Sequence, residues 1–120
     1  MQPTIDRTAF GSIVVAGVTF DHDVIIRLDG QVSKRKKKLS KAVFGTSHTI
    51  SLGEARYVYE PGAGQLIIGT GQSGMVKLSK EAIEYMAQKG CRVTLLPTPR
   101  AVQAWNLADG AVIGLFHVTC

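Results

Sequence analysis

No stretch of this chain approaches the roughly 18 consecutive apolar residues that a membrane-spanning helix needs. Its opening, Met1-Gln2-Pro3-Thr4-Ile5-Asp6-Arg7, lacks the charged start and apolar block of a signal peptide. Cysteine is scarce. Cys91 and Cys120 show no framework spacing, which argues against a disulfide scaffold and makes a reducing, cytoplasmic setting the expectation. No Gly-Lys-Ser or Gly-Lys-Thr follows a glycine run, so a nucleotide phosphate loop is excluded. No pair of carboxylates stands out for acid–base work.

What is present fits one domain. A chain of 120 residues buries roughly two-thirds of the surface it exposes when unfolded, enough for a core without staples. Hydrophobic residues at 45% and charged residues at 19% separate it from disordered chains. The net charge is +5, but it is local. Lys34, Arg35, Lys36, Lys37, Lys38 and Lys41 supply six positive charges, more than the whole excess.

Pattern along the chain predicts an α/β fold. A compact single domain over residues 10–120 follows a flexible tail at 1–9. An antiparallel β unit opens the domain: Ser12-Ile13-Val14-Val15, a turn at Ala16-Gly17, a return at Val18-Thr19-Phe20, then Asp23 to Leu28 ending in the turn signal Asp29-Gly30. Gln31 to Thr49 reads as a long surface loop. Ser51-Leu52-Gly53-Glu54 has capping-box spacing and could start a helix to Tyr59. The aromatic and β-branched Arg56-Tyr57-Val58-Tyr59 favours a strand instead.

The second half reads β-α-β-α-β. Gln65 to Ile68 is an apolar run suited to a central strand buried on both faces. Ser79 caps a helix over residues 80–89 that stops at Gly90. Arg92 to Leu96 is the next strand. Thr98 caps a second helix with Pro99 in its first position, and residues 111–118 form a last strand. Such crossovers give parallel strands, so a mixed central sheet is expected.

The chemistry centres on Gly69-Thr70-Gly71-Gln72-Ser73-Gly74, which matches G-x-G-x-x-G. A dinucleotide needs the helix to start at the third glycine and an acid about 20 residues on. Here the helix starts at Ser79 and the following strand ends in Leu95-Leu96-Pro97, so no cofactor is expected. A small-anion site remains. Parallel strands bring the loop beside Thr98 and Arg100, and loop N–H groups with a helix N-terminus favour an anion. Its candidate residues are Gly69, Gly71, Gln72, Ser73, Gly74, Thr98, Arg100 and His117. No metal is expected: along a continued strand, His117 and Cys120 face opposite sides. A nucleophilic Cys120 would need a base and an oxyanion hole. His48, in a polar stretch, reads as a loop residue. The Lys34–Lys38 run lacks the interleaved aromatics that stack on bases, which argues against nucleic acid.

Taken together, Phe10-Gly11, Asp23-Val24-Ile25-Ile26, Asp29-Gly30, His48, Ile67-Ile68-Gly69-Thr70-Gly71-Gln72-Ser73-Gly74, Pro97-Thr98, Ala101, Asn106 and His117-Val118-Thr119-Cys120 resemble a small domain-of-unknown-function family. That family includes a human adipogenesis-associated cytoplasmic protein and a mitochondrial respiratory complex I assembly factor. The resemblance implies a single α/β domain with a mixed sheet and brings no catalytic residues. It favours a non-catalytic protein-binding or assembly module, whose partner is another protein or a small anionic ligand, with no membrane. The alternative is a small enzyme with a pocket of Gly71, Gln72, Ser73, Thr98, Arg100 and His117.

Overall fold

The computed structural model describes residues 2–120. Ten strands and four helices alternate along them: β1 (Ile5–Ala9), β2 (Ser12–Val15), β3 (Val18–Phe20), β4 (Val24–Ile26), β5 (Val32–Lys34), α1 (Lys38–Phe44), β6 (Thr49–Ile50), α2 (Leu52–Val58), β7 (Gln65–Thr70), β8 (Lys77–Leu78), α3 (Lys80–Gln88), β9 (Arg92–Leu96), α4 (Thr98–Leu107) and β10 (Val112–His117). The main sheet has the order β5-β4-β10-β7-β9. It is mixed, as expected: β10 and β9 run parallel to β7, while β4 and β5 join antiparallel. A separate antiparallel sheet, β1-β2-β3, and the short pair β6-β8 complete the fold.

The crossovers set the layers. The chain moves from β7 outward to β9, then back across β7 to β10. With right-handed connections, opposite directions of travel put α3 and α4 on opposite faces. The core divides accordingly. On one face Leu66, Ile68, Ile113 and Leu115 pack with Ala55 and Val58 of α2 and Ala82 and Met86 of α3. On the other, Ile67, Val112 and Phe116 pack with Ala101, Val102 and Trp105 of α4 and with Ile5, Ile13 and Val15 of the small sheet. That two-sided cover is why β7 and β10 are apolar without alternation. The middle of the sheet is β10, however, and not the glycine-loop strand β7.

Four expectations change. The tail expected at 1–9 is in part a strand. Asn106 of α4 accepts from the Ile5 N–H at 2.9 Å and donates to its carbonyl at 2.8 Å, and Ile5 is buried. Those partners lie about a hundred positions away, beyond local pattern. The loop expected at 31–49 contains β5, α1 and the first residue of β6. Lysine is a good helix former, and the hairpin partner β4 supplies β5 with its ladder. Residues 52–58 are helix rather than strand. The Ser51 hydroxyl accepts from the Glu54 N–H at 3.2 Å, and Ala55 and Val58 reach the core together, three positions apart on one helical face. Finally, Thr98 lies inside α4, and its hydroxyl makes no cap bond.

Candidate functional site

The C-terminal ends of β7, β9 and β10 share one edge, because the three strands are parallel. Thr98 ties them. Its buried hydroxyl donates to the His117 carbonyl at 2.6 Å and accepts from the Gly71 N–H at 2.9 Å, while its own N–H reaches the Gly71 carbonyl at 3.0 Å. The glycine loop is therefore beside Thr98, as the sequence suggests, but what it holds is the chain itself. The Gln72 N–H donates to the Thr119 carbonyl at 2.7 Å, the Met75 N–H to the main-chain oxygen of Cys120 at 3.2 Å, and the Gly74 N–H to the Gly71 carbonyl at 3.2 Å. Gly71 has φ +106°, and a Cβ there would run into the Cys120 carbonyl and come within 2.8 Å of His117 Cδ2. Glycine is needed at 71 so that residues 117–120 can lie against the loop. Gly69 plays a similar part, since a Cβ would sit 2.8 Å from the Thr98 hydroxyl.

Of the other expected anion ligands, His117 is buried, Gln72 is half-buried, and Ser73, Gly74 and Arg100 are exposed. The Gln72 amide donates to the Thr8 hydroxyl at 3.3 Å. Within this set the Thr98 hydroxyl and N–H are both engaged by the fold itself.

A different set of polar residues converges at the same edge, and most of it was not singled out from the sequence. Asp23 immediately precedes β4, the strand that flanks β10. Its carboxylate accepts from His117 Nδ1 at 2.7 Å, from Arg35 Nη1 at 2.9 Å and from the Val118 N–H at 2.9 Å. Arg35 extends the network inward. Its guanidinium donates to Glu54 at 2.6 and 3.1 Å and to the Ser47 carbonyl at 2.7 Å. Glu54 also accepts from the Ser40 hydroxyl. Asp23, Arg35, Glu54, Ser40 and His117 are each at most 3% exposed.

Such a buried cluster persists only when every charge is paired and hydrogen-bonded. Burial pushes the Asp23 carboxyl toward its neutral form. The hydrogen bonds from His117 and Val118, the charge interaction with His117 and the bond from Arg35 outweigh it and hold the group at about 2, against an ordinary 3.8. Burial likewise favours loss of the Arg35 charge, but Glu54 and Asp23 push its pKa above the usual value. Arg35 is thus the structural member of a run that otherwise faces solvent. Local pattern cannot separate it from its lysine neighbours.

Past Asp23 the surface opens into a cleft of about 630 Å³, walled by Asp21, His22, Lys34, Lys36, Lys37 and Lys38 and floored by Asp23, Arg35, Val118 and Thr119. Lys34 and Lys38 are exposed. The Lys37 ammonium lies 3.6 Å from Asp23, and the Lys36 ammonium sits over the Tyr57 ring at 4.6 Å.

The expectation that His117 and Cys120 face apart does not hold. Strand β10 ends at His117, so side-chain alternation stops there. The chain bends onto the glycine loop, and Cys120 Sγ comes to 3.8 Å from His48 Nε2. The His48 and His117 rings meet edge to face, with centroids 5.5 Å apart. One ligand atom from each of His48, His117 and Cys120 lies within 4.8 Å of the other two.

These features define a compact mixed α/β domain with a buried acid–base network at the shared strand edge. The chain belongs to the family described as "Protein of unknown function (DUF498/DUF598)", which matches residues 5–113. It is similar to the conserved hypothetical protein PH1505 from Pyrococcus horikoshii OT3, with 29% identity and a TM-score of 0.88 over 98% of this chain and 99% of that one. It is similar also to a protein called MT938, with 28% identity and a TM-score of 0.82 over 99% of this chain and 100% of that one. A Bordetella pertussis protein described as a Mth938-like domain shares the fold at 18% identity, with a TM-score of 0.65 over 97% of this chain and 85% of that one. Among the described residues, no helix is long and apolar enough to cross a membrane.

Proposed function

We propose that this domain is a non-catalytic binding module of the cytoplasm, and that its contact site is the lysine-walled cleft. The occupant is an anionic group, carried by an acidic segment of a partner protein or by a small ligand. The observation that carries this reading is the wall itself. Four lysines line a concave surface whose buried carboxylate, Asp23, already faces Arg35 and His117. The wall adds one further carboxylate, Asp21, so the four lysines leave the cleft with a positive excess. In this reading the anion expected at Gly69–Gly74 moves to the cleft, because the N–H groups of Gly71, Gln72 and Gly74 donate within the protein. Two free thiols agree with a reducing compartment. The family that the sequence resembles includes a complex I assembly factor, which favours a role in protein assembly.

Calorimetric titration with a hexaglutamate peptide and with inorganic pyrophosphate tests the proposal. Binding of either is expected at low salt, weakening as ionic strength rises. The double variant Lys34→Gln/Lys38→Gln is expected to lose it. Those two lysines are chosen because Lys36 and Lys37 have partners inside the domain. Absence of binding to both probes, or binding that ignores the substitutions, refutes the assignment.

A further inference from the structure

We infer that His48, His117 and Cys120 form a binding site for a zinc-class divalent cation. The donor set is two imidazole nitrogens and one thiolate sulfur. That combination suits a borderline-soft ion and not magnesium or calcium, which take oxygen. Three protein ligands leave a fourth position for water or a ligand, the pattern of an open rather than a closed zinc site.

Geometry supports the assignment. Around zinc, Zn–N near 2.0–2.1 Å and Zn–S near 2.3 Å place tetrahedral donors roughly 3.3–3.6 Å apart. Here the sulfur of Cys120 is 3.8 Å from His48 Nε2, and all three donors fall within 4.8 Å. A contraction of up to about 1.5 Å closes the set. The exposed Cys120 and half-buried His48 are free to make it, while His117 is fixed.

The fixing of His117 is the stronger argument. Asp23 bonds its Nδ1 at 2.7 Å, and Nε2 meets the Thr119 hydroxyl at 3.1 Å, a contact that a metal ion would displace in order to be ligated there. A carboxylate behind a ligating histidine sets the tautomer and raises ligand basicity, the usual support of a zinc-bound imidazole. Asp23 is itself held by Arg35 and the Val118 N–H. The glycine-loop segment then places all three ligands. Its Gln72 and Met75 N–H groups pin the main chain of Thr119 and Cys120, Lys77 N–H donates to the His48 carbonyl at 2.8 Å, and Thr70 pairs in register with His117. One segment, Thr70 to Lys77, sews together ligands from positions 48, 117 and 120.

The test is titration of the untagged, fully reduced protein with Co²⁺ alone, read by absorbance, followed by displacement with Zn²⁺. The expected result is one ion per chain, with visible bands of four-coordinate cobalt and a near-ultraviolet sulfur-to-cobalt band. Cys120→Ser is expected to abolish the sulfur band. His48→Ala is expected to weaken binding by more than the roughly 10–100-fold that an outer-shell change causes. Cys91→Ser, at the remote buried thiol, is expected to keep both. Because these variants alter half-buried or exposed side chains, or a small buried thiol, circular dichroism checks that each is folded. No cobalt spectrum in the wild type, a sulfur band that survives Cys120→Ser but not Cys91→Ser, or displacement by Mg²⁺ as effectively as by Zn²⁺ would overturn the site.

Discussion

Gly71→Ala separates two effects that glycine substitutions usually mix. At φ +106° an alanine is strained wherever it sits, at a cost of about 1–3 kcal/mol. Gly62 gives the reference. It has φ +95°, and a Cβ there meets nothing within 4 Å. Gly62→Ala should therefore show the strain alone. At Gly71 the added methyl also collides with the Cys120 carbonyl and His117 Cδ2, and the obstacle is backbone, which cannot rotate away. Segment 118–120 must lift. The Gln72–Thr119 and Met75–Cys120 hydrogen bonds then break, each worth about 0.5–1.5 kcal/mol. Gly71→Ala should cost about 2–6 kcal/mol, exceeding Gly62→Ala by about 1–3. Urea unfolding read by the single tryptophan, the buried Trp105, measures both. With a urea slope of about 1–3 kcal/mol/M, the Gly71→Ala midpoint should lie roughly 1 M below that of Gly62→Ala. Equal midpoints would mean that the loop does not clamp residues 118–120, and the account of the glycine loop would fall.

Three further outcomes follow from the network and the docking of β1. Arg35→Met leaves Asp23 and Glu54 buried without their cation and should cost about 3–5 kcal/mol, whereas Lys38→Met on the exposed face should stay within about 0.5; similar denaturation midpoints for the two would contradict the burial assignment. Asp23 has a folded pKa of about 2, below its ordinary 3.8, so its contribution is complete above about pH 4 and is lost as pH falls toward 2. That loss should be about 2 kcal/mol in stability measured between those limits, and Asp23→Asn should lack it; an unchanged acid profile in the variant argues against the pairing. Asn106→Ala removes both side-chain bonds to Ile5 and should destabilise by about 1–3 kcal/mol with early exchange of the β1 amides; native-like protection of β1 in hydrogen exchange would count against the docking described.

The second half of the chain was legible because its signals are local. Ser79 accepts from the Ala82 N–H as an N-cap, Gly90 stops α3 at φ +67°, and Arg92–Leu96 is a strand with the boundaries its β-branched run suggests. Residues 31–58 were less legible. Lysines, serines and tyrosines there are compatible with loop, strand or helix, and the decision came from partners elsewhere: β4 for β5, and the core for Ala55 and Val58. The glycine loop is conspicuous in the sequence, but the internal bonds it makes are not. The N–H groups of Gly71, Gln72 and Gly74 look free in the sequence and are occupied in the fold, that of Gln72 by the main-chain oxygen of Thr119, 47 positions further along the chain.

By itself the sequence determined the class of fold, because hydrophobic period, caps and glycine stops act over a few residues and chirality then orders the crossovers. It also placed the polar edge of the sheet, since parallel strands must end together. Only the tertiary structure decided what meets there. Asp23, Arg35, His48 and the closing His117 and Cys120 come from widely separated parts of the chain, and the end of β10 at His117 turns Cys120 toward His48. Those contacts depend on where the chain stops being regular, and periodicity carries no information once the period ends.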